Sequence, residues 1–402
     1  MPAQMVSAQM VMDARQVLPE DAAQAILVGR AWVPGRNAGP SPVTIAGGLV
    51  YDLGPAAATS AELLNAADPP ALVRKRLAVP SRPLGSVAEL LENTHADRRD
   101  PARAFFLAPV DLQAVRACGV TFIASMLERV IEEQAHGDPA QAEALRKSIG
   151  AEIGGELRSI KPGSPEAMRL KDSLIKRGVW SQYLEVGIGP DAEVFNKAQP
   201  MSAVGTGADI GILERSSWNN PEPEVVLAVN RAGKVVGATL GNDVNLRDWE
   251  GRSALLLGRA KDNNGSCAVG PFIRLLDGKF GADDLRRLRI EVQVRGNDGF
   301  EVKGGYGLTQ ISRDPLDLAA QAVNRNHQYP DGLVLFLGTA FAPTQDRGEA
   351  GRGFTHKLGD VVTIRSPSLG TLSNRIGYCD RIAPWTFGLS DLMRNLAARG
   401  LI

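Results

Sequence analysis

Short β-type runs, continuous apolar or alternating apolar and polar, dominate the second half of the chain between turn residues, at positions 224–229, 235–240, 290–294, 333–337 and 361–364. Runs of this length, rich in Val and Ile and bounded by Gly, Asn and Pro, predict β-strands. Helical spacing intrudes there only locally, at 315–323 and 389–399. Between 125 and 177 the pattern changes. Met126, Leu127, Val130 and Ile131 form an apolar stripe with charges between them, and Pro162-Gly163-Ser164-Pro165 splits the stretch into at least two helices. The first hundred residues read as a smaller unit, with strands at 25–29, 43–45 and 49–51, a Gly47-Gly48 turn, and a short helix whose cap is Ser60.

Strands that are mostly not separated by regular helices argue against a doubly wound sheet. They predict an α+β, β-rich architecture. A length of 402 residues exceeds the usual single core. The expected division is a small N-terminal domain with a loose tail over 1–104 and a main domain over 105–402, carrying a helical insertion at about 125–180.

Composition narrows the function classes. Lys+Arg and Asp+Glu are equal at 45 each, so no overall field favours nucleic acid or an anionic membrane. The longest apolar run, 333–342, is broken by Gly338 and Thr339 and is too short to span a bilayer. The N-terminal residues lack the basic-then-apolar order of a secretory signal. Three cysteines form no CxxC pair, which suits reduced thiols in the cytoplasm.

The segment Asn219-Asn220-Pro221-Glu222-Pro223-Glu224 carries the chemistry. Two prolines forbid a helix, and on an extended chain Glu222 and Glu224 point to the same side. The following strand turns at Asn230-Arg231-Ala232-Gly233-Lys234 and returns. A hairpin centred near residue 232 sets Asp243 opposite Glu222, with β-carbons roughly 5 Å apart. Three carboxylates meeting there repel unless a cation intervenes, and hard oxygen ligands suit Mg²⁺, Mn²⁺ or Ca²⁺. A solvated hairpin end with separate Arg or Lys partners fits the spacing equally well.

Further motifs follow in order: Gly241-Asn242-Asp243 through Asp248, Ala260-Lys261-Asp262 leading to Gly270-Pro271-Phe272, Leu337-Gly338-Thr339, and Leu369-Gly370-Thr371-Leu372-Ser373-Asn374. With Glu-x-Glu ahead of them, they resemble the fumarylacetoacetate hydrolase family over residues 105–402. The resemblance implies a mixed β-roll or sandwich with a helical lid and a metal at its mouth, assembled as a homodimer or homotetramer. It also implies metal ligands Glu222, Glu224 and Asp243, an active-site lysine at Lys261, and Thr339 after Gly338 on the substrate carboxylate.

Phe122 matches an aromatic of the lid and Glu128 its acid, while Ser125 stands where the family's hydrolases carry a histidine. Ser125 and Glu128 also read as a helix capping box. Glu250 takes the place of a pocket glutamine, with an ion pair to Arg247 or Arg252 as the competing reading. Lys197 matches a family lysine or lies on the surface.

The wording around these motifs is similar to dehydratases of 2-keto-3-deoxypentonates. The implied activity is therefore Mg²⁺-dependent dehydration of a small 2-keto acid without an organic cofactor, with Lys261 or Glu128 as the base. Hydrolysis of 2,4-diketo acids or other acylpyruvates, decarboxylation or tautomerisation of a keto acid, and a non-catalytic scaffold are the alternatives.

Overall fold

The computed structural model describes residues 8–136, 138–142, 145, 160–176, 178, 180–348 and 351–402. Two sheets pack against each other. The larger runs β4 (Gly85–Ser86), β3 (Leu49–Asp52), β2 (Gly39–Ala46), β1 (Leu27–Val33), β13 (Cys267–Leu275), β11 (Val235–Asp243), β10 (Pro223–Val229), β16 (Leu333–Phe336), β6 (Ala114–Gly119) and β7 (Glu193–Ala198), with β5 (Phe105–Leu107) also paired to β1. The smaller runs β15 (Glu301–Gly307), β14 (Arg289–Arg295), β17 (Val361–Ser366), β18 (Gly370–Tyr378) and β8 (Asp209–Ile212). A ribbon of β9 (Asn219–Asn220) and β12 (Asn245–Leu246) closes one end of the hairpin. This is the expected β-rich sandwich, and its ladders are antiparallel except β16 with β6 and β18 with β8.

Alternation in β10 divides the core. Val225, Leu227 and Val229 face a cluster shared with Val292, Val294, Val362 and Ile364 of the second sheet. Val226 and Ala228 face the opposite way, toward Leu63, Leu64 and Val73 on N-terminal helices. Both faces are covered, so the strand reads as a continuous apolar run rather than an alternating one.

The N-terminal residues do not form a sheet of their own. β1 pairs with β13, Leu27 against Arg274, so residues on both sides of the expected 104/105 boundary share one sheet. The expected loose tail is held from Ala8 onward; Val17 is buried, and Gln16 accepts a 2.6 Å hydrogen bond from Thr371 of β18. The cap of the helix Ser60–Leu64 is Thr59, one residue earlier than expected, because its hydroxyl reaches the Glu62 N–H at 3.0 Å.

Helices Ile123–Gln134, Pro165–Lys176 and Gln182–Ile188 make up the expected insertion, whose residues 146–159 lie outside the described ones. The capping box expected from Ser125 and Glu128 does not form. The helix starts before Ser125, and the serine hydroxyl bonds back to the Phe122 carbonyl at 2.8 Å. All three cysteines are free, and among the described residues no helix is long and apolar enough to cross a membrane.

Leu227→Ala should lower unfolding free energy by about 2–5 kcal/mol, the usual cost of emptying a packed leucine site. Leu255→Ala, at a side chain 95% exposed, should change it by no more than about 0.5 kcal/mol. Paired urea titrations read both values, and similar losses at the two positions would contradict the core assignment.

Candidate metal centre and active site

The hairpin register is the one the sequence predicts. Pro223 pairs with Asn242 and Glu224 with Gly241, and the Asp243 amide donates to the Glu222 carbonyl at 2.9 Å. Carboxylate oxygens of Glu222, Glu224 and Asp243 come within 4.8 Å of one another, and all three residues are buried. The solvated-hairpin reading therefore fails: these acids are removed from water together.

Two lysines face them. Lys261, from the helix Leu257–Lys261, donates to Glu222 and, at 3.0 Å, to Asp243. Lys197 on β7 is fully buried, so the surface reading is wrong. Its ammonium lies 2.9 Å from the other Asp243 oxygen and also donates to the Lys261 carbonyl. Burial alone would raise the Asp243 pKa, but the two lysines outweigh it and hold the carboxyl below its ordinary value. Burial by itself would lower Lys261, but Asp243 and Glu222 hold its ammonium protonated, well above the usual lysine range. Glu224 is pushed well up, by burial first and then by the neighbouring Asp243 and Glu222 charges.

Glu224 is held from a third direction. The Gly338 amide donates to it at 2.6 Å, and Gly338 has φ +85, where a β-carbon would also strike the Thr121 hydroxyl oxygen at 2.2 Å. Only glycine fits there without strain. Tyr306 of the second sheet donates to the Pro223 carbonyl at 2.6 Å and packs edge-on against Phe122 at 4.9 Å. Thr339 is buried beside Gly338, with its hydroxyl oxygen accepting from the Phe341 amide at 3.1 Å.

The lid helix Ile123–Gln134 closes over this group through ion pairs. Arg129 reaches Glu222 at 2.5 Å, Glu132 at 2.6 Å and Glu250 at 2.9 Å. Arg247 binds Glu132 at 2.5 Å and Glu128 at 3.0 Å, and lies over the Trp218 ring. Glu250 thus pairs with Arg129, not with Arg247 or Arg252, and burial raises its pKa. Ser125 turns to its own helix backbone. His356 is buried beside Asp360 at 3.2 Å, and His327 stacks on Tyr329.

Two residues were not singled out from the sequence. Arg129 has a weak signal, a basic residue seven positions after Phe122 and so on the same helical face. Glu193 has none, because its place depends on strand pairing. It lies opposite Gly119, where a side chain would meet its carboxylate at 1.9 Å. Burial, with Glu250 next, pushes its pKa up to about 7, against Arg129 and Lys261.

The donor set fits a hard divalent cation: three converging carboxylates with no sulfur or imidazole among them. Around them Asn220 Oδ1, Asn242 Nδ2 and Asn245 Oδ1 are buried without a partner, leaving polar capacity for a bound group.

Residues 187–377 match the family model described as fumarylacetoacetate (FAA) hydrolase C-terminal. The chain is 33% identical over 180 residues to a 2-dehydro-3-deoxy-D-arabinonate dehydratase of Saccharolobus solfataricus, covering 45% of this chain and 57% of the relative. It is 31% identical over 194 residues to a protein of Haloferax volcanii named a probable 2-keto-3-deoxyxylonate dehydratase, covering 48% and 63%. Less than two thirds of either relative is therefore matched. The fold is similar to a solved 2-keto-3-deoxy-D-arabinonate dehydratase in its apo form, with a TM-score of 0.58 and 20% identity over 88% of this chain and 99% of that one. A complex of such an enzyme with magnesium and 2,5-dioxopentanoate gives a TM-score of 0.56 at 19% identity, over 88% and 99%. Glu222, Glu224, Asp243, Lys197 and Lys261 all lie within the residues 187–377 that match the fumarylacetoacetate (FAA) hydrolase C-terminal model.

Proposed function

We propose that the chain is a divalent-metal-dependent dehydratase of 2-keto-3-deoxy sugar acids, converting a 2-keto-3-deoxypentonate to 2,5-dioxopentanoate and water. The observation that carries this reading is the buried trio Glu222, Glu224 and Asp243 with the Lys261 side chain against it. The dehydratase names of both relatives, and the magnesium and 2,5-dioxopentanoate held by a protein of the same fold, support the substrate class. Ser125 in place of a histidine favours loss of water over hydrolytic carbon–carbon cleavage.

A divalent cation on Glu222, Glu224 and Asp243 would supply Lewis-acid polarisation of a 2-keto group. Thr339 and the chain around Gly338 hold the substrate carboxylate, and Phe122 packs beneath that pocket. Lys261 faces the negative charge that develops on the 2-keto oxygen when a C3 proton leaves. Its ammonium is engaged by Glu222 and Asp243. Glu128 is tied to Arg247. Glu193 suits the task better, since a carboxyl titrating near neutrality is a proton acceptor in its working range.

Departure of the C4 hydroxyl then forms the 3,4-alkene, with the C3 proton and the hydroxide leaving as water. Loss of a C5 proton and return of a proton to C3 give the 4,5-enol, and loss of its hydroxyl proton with protonation at C4 gives the aldehyde at C5. Lys197 keeps Asp243 and the Lys261 backbone in place, and Glu250 with Arg129 holds the lid side of the pocket.

Turnover should stop with excess chelator and return with Mg²⁺ or Mn²⁺, and Glu222→Gln or Asp243→Asn should lower it by several orders of magnitude. Full activity in protein shown by elemental analysis to be metal-free would overturn the site. The product from 2-keto-3-deoxy-D-xylonate, followed by NMR, should be 2,5-dioxopentanoate; pyruvate with a two-carbon aldehyde would mean cleavage instead.

The two proton-handling roles separate on 2-oxobutyrate, which has C3 protons but no C4 hydroxyl. Wild type should exchange those protons with deuterated water. Glu193→Gln should slow exchange by about 10²–10⁴-fold, the usual worth of a positioned base. Lys261→Ala should slow it by about 10²–10³-fold, as for loss of one donor to a developing oxyanion. Exchange at the wild-type rate in Lys261→Ala, with dehydration lost, would move that lysine's role to the leaving hydroxyl.

A further inference from the structure

A cavity of about 270 Å³ lies between the N-terminal strands and the C-terminal segment after β18, close to the lower end of the ~300–1,000 Å³ range of ligand sites. None of the metal-centre residues lines it. Its apolar wall is Trp32, Phe106, Trp385 and Phe387. Its charges are Arg30, Arg99 and Asp209.

The two arginines are unusual. Arg30 is 6% exposed, yet among the described residues its side-chain hydrogen bonds go only to the Val110 carbonyl at 2.9 Å and the Met201 sulfur at 3.5 Å. The nearest acid that influences it, Asp111, is occupied by the amides of Ser60, Ala61 and Leu112. Arg99 donates to the Thr94 carbonyl at 2.7 Å and lies over the Phe105 ring, while its Nε is buried without a partner. Asp209 offsets the Arg99 charge only in part, because it is bound to Arg375 at 2.7 Å. Among the described residues neither Arg30 nor Arg99 has an ion-pair partner. Burial lowers the pKa of both, the mark of a cation removed from water without full compensation. A buried guanidinium without a counter-ion is costly, and an anion in the cavity would relieve the cost.

We propose that this cavity is a binding site for a small amphipathic carboxylate, its anionic head on Arg30 and Arg99 and its apolar body between Trp32, Trp385 and Phe387. The site is separate from the metal centre, and the inference does not rest on the activity proposed above.

The probe is 1-naphthoate, with the neutral 1-naphthalenemethanol as the comparison, titrated into the intact protein by calorimetry and tryptophan fluorescence. Naphthoate should bind at one equivalent and the alcohol at least tenfold more weakly. Arg30→Met and Arg99→Met should each weaken naphthoate at least tenfold. Arg99→Met, at a half-buried position, keeps the test valid if Arg30→Met fails to fold. Any enzymatic turnover should be the same in Arg99→Met as in wild type. The proposal is overturned if naphthoate does not saturate, if the alcohol binds as tightly, if Arg99→Met binds as wild type does, or if metal-centre substitutions such as Glu222→Gln abolish binding.

Discussion

Mutual repulsion among three buried carboxylates is the constraint on which the rest of the site depends. Two unit charges about 4 Å apart repel by on the order of 4 kcal/mol even at an effective dielectric of about 20. The chain answers with cations drawn from three separate places. Lys197 comes from β7, Lys261 from the helix after β12, and Arg129 from the lid helix. Each must arrive at its carboxylate for the hairpin end to be stable. Glu222 consequently ties the lid helix to the hairpin, and Asp243 ties the hairpin to an edge strand of the larger sheet.

The two sheets serve the same end from opposite sides. β10 and β11 bring the acids together, and β10 leads them into a core closed by the second sheet. Tyr306 crosses from that second sheet to the Pro223 carbonyl, between the two glutamates in sequence. Gly338, at the end of β16, turns its amide onto Glu224. The ligand set is therefore fixed by backbone as much as by side chains. Its orientation depends on an amide that no substitution but proline can remove and on a dihedral angle that only glycine adopts easily.

What could be read from the sequence was whatever depended on near neighbours. A two-residue spacing, two prolines and a glycine-containing turn were enough to place Glu222, Glu224 and Asp243 together, because hairpin register follows from the loop. Lys261 and Lys197 were visible through resemblance, but the burial of Lys197 was not, since nothing local marks a lysine as sealed. Glu193 and Arg129 were hidden for a related reason. One is positioned by a strand pairing across the lid insertion, the other by which acids its helix happens to cover. The Thr59 cap and the internal position of Ser125 show the smaller limit: polar residues next to a helix start are interchangeable as caps by type, and one or two residues of shift change which hydroxyl is used.

The junction of β1 with β13 bears on how the molecule is made. Leu27 and Val28 can meet β13 only after most of the chain has been synthesised, so this part of the β1 edge, beyond the stretch that β5 covers, waits unpaired while the ribosome completes the rest. Ladders between segments so far apart in sequence form slowly, and an open edge is a surface on which other chains can pair. Biogenesis of this protein thus has a vulnerable interval that ends when β13 emerges, and the same strand shields the finished sheet by occupying the place where a stranger would otherwise dock.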